Sequence, residues 1–430
     1  MVDTAKLVRE FGTPLYLYDL RRVRESVASL RSALPTGTHI YYSLKANPHP
    51  DIAAAARAEG CDAGVTSPGE VADAAAAGFP LDECLYTGPG KSEEAVDRSV
   101  REGVRTFSVE SETDFRRRAR AAERTRQRLR CLIRVNGTEA AGGVGLRMSG
   151  GPSQFGVDFA RVAGLAKSVQ DHPGTTLRGL HFFPLTNAKD EESLLEEFTR
   201  TLRAAAALRA QGVPIDQLDI GGGFAAPFAV PGDPPVYRSL ADRLTAALDE
   251  HMAGWRDGAP RISVESGRYL AASCGTLVLG VLDVKKSHGR TYAVLDGGVN
   301  CLGGMSATGR LLPLSAVPLE ATERAEDKNE PVHLAGPLCT PVDVLGRGTR
   351  LPLPRVGDLV QIPNVGAYGM TASLLAFLSH PSAAEVVVDG GRLVSATRLQ
   401  RERRPIGPPP SGAAPGPDQG RPAGPNPGRR

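Results

Sequence analysis

No run of 18 apolar residues occurs in the 430-residue chain, so no segment reads as a bilayer-spanning helix. The N-terminus, MVDTAKLVREFGTP, has no apolar stretch of the kind that drives export. The six cysteines (Cys61, Cys84, Cys131, Cys274, Cys301, Cys339) are dispersed, with no C-x-x-C pair and no clustering with histidine. That argues against a disulfide framework and against a metal site, and for reduced thiols in a cytoplasmic setting. Charge of one sign is scarce as well. The formal net charge is +3, and Arg401–Arg430 alone holds six Arg against Glu402 and Asp418. The remainder is close to neutral, which leaves no basic footprint for nucleic acid.

What is present is a rhythm. From about Thr38 to Glu265 short apolar runs alternate with Ala- and Arg-rich amphipathic stretches: THIYYSLKAN then DIAAAARAEG, AGVTS then PGEVADAAAAGF, TFSVES then ETDFRRRARAAERTRQR. Repetition over roughly 230 residues fits a (β/α)8 barrel, which takes ~250; a doubly wound sheet has the same rhythm. After Arg268 the pattern becomes β-rich, as in GTLVLGVLDVKK, TYAVLDGG, PVHLAGPLC, DLVQIPNVGAYG and AEVVVDGGRLVSATR. The expected organisation is therefore an N-terminal segment (1–30) whose PLYLYD strand joins a β domain, a barrel (31–268), the β domain (269–400) and a disordered Pro/Gly/Arg tail (401–430).

Several residues stand out against this frame. Lys45 ends the run IYYSL and is followed by Ala-Asn-Pro, which stops regular structure. A strand-end lysine ordinarily reaches solvent; at the C-terminal mouth of a barrel strand it can instead be a nucleophilic amine. LDIGGGF sets Gly221, Gly222 and Gly223 after an apolar run, where backbone N–H groups can approach an anion. It is not a dinucleotide or P-loop fingerprint, because G-x-G-x-x-G spacing and Gly-Lys-Ser/Thr are both missing. VESGRYL offers Glu265 and Arg268, AGPLCTPVD offers Cys339, and NVGAYGM offers Tyr368. Each has an ordinary alternative: a surface ion pair, a small buried hydrophobe, a core tyrosine.

Taken in order, SLKAN, TSPGE, SQFGV, the His-led segment Leu180–Phe183, DIGGGF, ESGRY, LDGG, GPLCTPVD and GAYG resemble the fold-type III pyridoxal-phosphate decarboxylases, the family of diaminopimelate, ornithine and arginine decarboxylases. The resemblance runs from FGTPLYLYD to about residue 400. It implies an alanine-racemase-like TIM-type barrel plus a C-terminal β domain, and pyridoxal 5′-phosphate as cofactor. GPGK, SQFG, ESGRYL and AGPLCTPVDVLG look most like decarboxylases of aminoacyl groups tethered to acyl or peptidyl carrier proteins. The resemblance further implies that Lys45 carries the cofactor, that Gly221–Gly223, Arg268, Tyr368 and Thr186 hold its phosphate, and that His181 stacks on its ring. Glu265 would face the ring nitrogen, favouring decarboxylation over the racemisation that an arginine there supports. Cys339 would come from the partner subunit of a homodimer and return a proton as general acid.

The sequence departs from that pattern in places. Pro184 and Leu185 replace small residues of the phosphate cup, leaving Thr186 as its hydroxyl, and Gly64 stands where the family carries Asp or Glu. Thr340 and Pro341 follow Cys339 where diaminopimelate decarboxylases carry Glu-Ser, so no carboxylate is in place for a distal ammonium. The expected substrate therefore lacks a distal cation, with Arg310 a weak candidate for an anionic substrate group and Asp343 a structural or dimer-contact residue. Free diaminopimelate is the alternative substrate. A cofactor-binding protein with weak or no decarboxylase activity is the alternative of another class.

Overall fold

The computed structural model describes residues 3–137, 146–147, 151–188, 190–303, 316, 320–321, 329–404 and 406. Eight short strands close a parallel barrel: His39–Ser43, Asp62–Val65, Leu85–Tyr86, Thr106–Val109, Leu129–Asn136, Thr175–His181, Gln217–Asp219 and Arg261–Ser266. Each pairs with its successor in the chain, and the eighth pairs with the first through Glu265 opposite Tyr41. Helices on the outside follow the strands, and side-chain caps set where several begin. Ser67, Ser92, Ser111 and Asp190 each accept a backbone N–H from three residues further on. A cap of this kind stabilises a helix by about 1 kcal/mol.

Alternation along the strands fills the barrel in layers. Tyr41, Leu85 and Leu132, from the first, third and fifth strands, pack as their own buried cluster. Gln217 from the seventh joins them, its Nε2 donating to the Tyr41 hydroxyl at 3.1 Å. This is the odd-strand layer of a closed barrel. The even strands supply a polar layer, whose members Gly64, Ser108, His181 and Glu265 recur below.

The second sheet runs in the order Val344–Pro352, Asn329–Ala335, Arg290–Leu295, Gly275–Ser287, Leu15–Asp19, Ala384–Asp389, Arg392–Arg398. Leu359–Ile362 adds to the Gly275–Ser287 strand. The PLYLYD strand thus lies in this sheet as expected, antiparallel to Gly275–Ser287 and parallel to Ala384–Asp389. Leu15, Val278 and Val386 are fully buried around it, and burying each such side chain is worth about 1.5–3 kcal/mol. Two hydrogen bonds tie this part of the chain to the end of the first barrel strand. Asn47 Nδ2 donates to the Gly366 carbonyl at 2.8 Å, and the Tyr368 N–H donates to the Ala46 carbonyl at 2.7 Å. Among the described residues no helix is long and apolar enough to cross a membrane.

Candidate active site

The C-terminal ends of four barrel strands and one loop of the second sheet converge on a narrow cavity. Its lining includes Lys45, Phe183, Thr186, Gly223, Glu265, Ser266, Arg268 and Tyr368. Lys45 lies in the single 3-10 turn Leu44–Ala46, which Ala-Asn-Pro prevents from lengthening. Tyr368 adopts φ +54° and sets its ring 4.9 Å from the Arg268 guanidinium carbon. The strained conformation is held by its N–H bond to Ala46.

The glycine run is shaped by close backbone approaches. At Gly222 an added Cβ would lie 2.2 Å from the Glu265 carbonyl, and Gly221, at φ +79°, would place one 2.5 Å from the Phe182 carbonyl. Only glycine allows the seventh strand to turn this tightly against its neighbours. Among the described residues, the N–H groups of Gly222 and Gly223 donate no hydrogen bond, and Gly223 lines the cavity.

Beneath the cavity lies the polar layer. The Ser108 hydroxyl meets His181 Nδ1 at 2.7 Å, and His181 Nε2 meets Glu265 Oε1 at 2.8 Å. Burial lowers the His181 pKa, so the ring is neutral. An ionised Glu265 can only accept, which assigns the imidazole proton to Nε2 and makes Nδ1 the acceptor of Ser108 O–H. Burial opposes the Glu265 charge, yet His181, Lys45 and Arg134 hold its carboxyl below the usual range. Asp219 behaves oppositely. Burial and then the Glu265 charge push it well above the carboxylate range, which favours its protonated form. Its Oδ1 accepts the Gly221 N–H at 2.8 Å and its Oδ2 pairs with the Ser263 hydroxyl at 2.9 Å. His181, Asp219 and Glu265 form the one cluster of metal-binding size among the described residues, but these bonds already engage its donor atoms.

Most residues singled out from the sequence meet here. Lys45, Thr186, Gly223, Glu265, Arg268 and Tyr368 line the cavity, and Gly221 and Gly222 shape its wall. His181 is 1% exposed and bonded to Glu265, and it does not belong to the lining. Gly64 leaves room beside Glu265, since a Cβ there would lie 3.8 Å from Oε2. Cys339 is exposed and outside this cavity. Thr340 borders a separate apolar groove of about 740 Å3 with Val299, Val342, Leu374 and Phe377. The buried Asp343 carboxylate fixes that loop, accepting the Val299 and Leu338 N–H groups at 2.7 Å each. Arg310 lies outside the described residues.

Sequence reasoning missed a buried charge network beside the layer. Glu110 accepts from Arg134 at 3.1 Å and from the Gly156 N–H at 3.1 Å, with Lys91 Nζ 3.6 Å away. Asp114 holds Arg118 at 2.7 Å and Lys91 at 3.4 Å. The signal was available: an arginine inside the apolar run LIRV and a lysine in GPGK both imply buried partners. Phe183 was also missed. Its ring centroid is 4.7 Å from Lys45 Nζ and 5.9 Å from the Arg134 guanidinium carbon.

These residues fit pyridoxal phosphate. Lys45 makes no hydrogen bond or ion pair among the described residues, and Ser266 Oγ is buried without a partner. Glycine N–H groups, Thr186 and Arg268 suit a phosphate, while the ionised Glu265 suits a protonated ring nitrogen. An amine, an anion cradle and a buried carboxylate at a barrel mouth define an enzyme built around an aldehyde cofactor. Residues 20–272 match the family described as pyridoxal-dependent decarboxylase, pyridoxal binding domain. The chain is 31% identical over 399 residues to an L-glutamyl-[BtrI acyl-carrier protein] decarboxylase of Niallia circulans, covering 90% of this chain and 92% of that relative. A diaminopimelate decarboxylase of Methanothermobacter thermautotrophicus is 28% identical over 396 residues, covering 91% and 90%. The crystal structure of the Helicobacter pylori diaminopimelate decarboxylase complexed with L-lysine shares the fold. It superposes with a TM-score of 0.79 at 23% identity, over 92% of this chain and 95% of that one. The chain belongs to the pyridoxal-dependent decarboxylase family and uses pyridoxal 5′-phosphate to decarboxylate an amino acid or aminoacyl group.

Proposed function

We propose that this enzyme decarboxylates an acidic or neutral aminoacyl group presented on a carrier protein, in a homodimer whose sites are shared between subunits. One observation carries the substrate reading. Among the described residues Glu265 is the one acidic side chain in the cavity lining, and His181 already engages it. Thr340 adds a hydroxyl where a distal ammonium would need a carboxylate, and an unpaired buried charge costs several kcal/mol. The glutamyl carrier-protein substrate in the name of the Niallia circulans relative supports the same direction. The exposed Cys339, next to an apolar groove and outside its own chain's cavity, supports delivery to a partner's site.

In this reading Lys45 bonds the cofactor through its amine. Gly223, Thr186, Arg268 and Tyr368 hold the phosphate, and Glu265 keeps a proton on the ring nitrogen. When bound, pyridoxal phosphate supplies an electron-accepting ring that takes up the pair released as CO2 leaves. His181 holds Glu265 in place from beneath, and stacking on the ring is its second proposed role. Cys339 of the opposite chain returns a proton to the α-carbon from its thiol. Carbon dioxide release should be measured from free meso-diaminopimelate and from an L-glutamyl carrier protein. Turnover of the carrier-bound group at least about tenfold above that of the free diamino acid is expected. Robust turnover of diaminopimelate overturns the substrate reading and leaves the enzyme an ordinary lysine-forming decarboxylase. Cofactor uptake with neither product overturns it in favour of a binding protein.

A further inference from the structure

We infer that Phe183 is a positioning residue that receives the Lys45 ammonium whenever that lysine is released from the cofactor. The inference rests on the reading of Lys45 as the cofactor-bearing residue. The contact at 4.7 Å from ring centroid is within cation–π range. The two carboxylates whose charge acts on Lys45 are both committed elsewhere. Glu265 is bound to His181, and Glu70 Oε2 accepts the Thr66 N–H at 2.6 Å and its hydroxyl at 2.9 Å. Neither reaches ion-pair distance of Lys45, and among the described residues the face of Phe183 is the ammonium's close partner.

This suits an amine that must leave and return in every cycle. In such an exchange an incoming amine would replace Lys45 on the cofactor's aldehyde carbon, one C–N linkage forming for the one that breaks. Lys45 would leave with the electron pair and take up, one for one, each proton the incoming ammonium gives up, so charge and redox state would be unchanged. A carboxylate at hydrogen-bond distance would grip that proton and slow the lysine's return. An aromatic face attracts the ammonium without accepting its proton. The Arg134 guanidinium near the same ring is paired with Glu110 at 3.1 Å, which weakens its repulsion of Lys45.

The test uses holoenzyme and methylamine, a probe with no carboxylate to lose. Enzyme is equilibrated with increasing methylamine and reduced with borohydride. Mass spectrometry of the Lys45 peptide then counts the cofactor still attached to Lys45. In Phe183→Leu, half-transfer should require roughly 2- to 30-fold more methylamine, because the released ammonium has lost its ring. Phe183→Tyr should stay within about twofold of the parent enzyme. Trifluorophenylalanine at 183 keeps the shape, drains the ring face and should shift like leucine; it decides the matter if Phe183→Leu fails to load cofactor. A Leu variant matching the parent, or a trifluoro variant that does not shift, overturns the role of Phe183. Absence of reduced cofactor on Lys45 before any methylamine is added instead overturns the assignment of Lys45 itself.

Discussion

Replacing Glu265 by glutamine separates the structural work of this residue from its chemical work. The carboxylate is 4% exposed and accepts His181 Nε2–H at 2.8 Å. The glutamine carbonyl can accept the same proton, so the cost to folding is the difference between a charged and a neutral hydrogen bond, about 1 kcal/mol. The ring nitrogen, by contrast, would lose the anion proposed to keep it protonated. Removing one preorganised charge from a buried site typically lowers kcat by about 10²–10³, or roughly 3–4 kcal/mol. One compensation is built in. The Glu265 charge is part of what raises the Asp219 pKa, so in E265Q Asp219 ionises more readily and recovers part of the loss. E265Q/D219N should therefore be slower than E265Q. The assay is kcat on cofactor-saturated enzyme, with urea denaturation alongside. A kcat within about tenfold of the parent, at full cofactor loading, would refute the role given to Glu265.

Other perturbations give sharp expectations. Burial raises the Glu385 pKa to about 7, against the one hydrogen bond from Tyr18 that lowers it. The native state thus binds a proton that the unfolded chain has lost between about pH 4.5 and 7. Its stabilising contribution is complete below about 4.5 and is lost as pH rises through 7. E385Q should match the parent at pH 4.5 and be more stable at pH 8, by about 3 kcal/mol at most; equal denaturation midpoints at both pH values would contradict this. Asn at 343 can accept only one of the two N–H groups that Asp343 binds. D343N should cost about 1–3 kcal/mol and raise the reactivity of Cys339 toward a thiol reagent, while cofactor loading is kept. Unchanged thiol reactivity would show that Asp343 does not hold the loop. Mixing inactive Lys45→Ala and Cys339→Ala chains should restore about one quarter of parental activity, as expected when half the dimers carry one intact site. No recovery would sink the shared site.

The sequence carried the parts of this site whose chemistry is local. Lys45 is marked by the strand that stops at Ala-Asn-Pro, the phosphate cradle by three glycines, and Glu265 and Arg268 by their place at a strand end. The even-strand layer was hidden because it depends on how eight strands stagger. Nothing near Ser108 in TFSVES says that it will meet His181, or that Gly64 will lie beside Glu265. His181 was expected on the ring's face, and its bond to Glu265 follows from that stagger as well. Phe183 lies in a segment where the family pattern carries small residues, so Pro184 and Leu185 stand out there and an aromatic does not. The role proposed for Cys339 is one that no single chain can display, because its proposed target belongs to another copy.

The assignment of the cofactor of this decarboxylase to Lys45 can be tested on purified enzyme without knowing the substrate. Borohydride reduction followed by peptide mass spectrometry should find the pyridoxyl phosphate group on Lys45 and nowhere else. Its attachment to another lysine, or to none in enzyme that has retained its cofactor, would rule out Lys45 as the bearer.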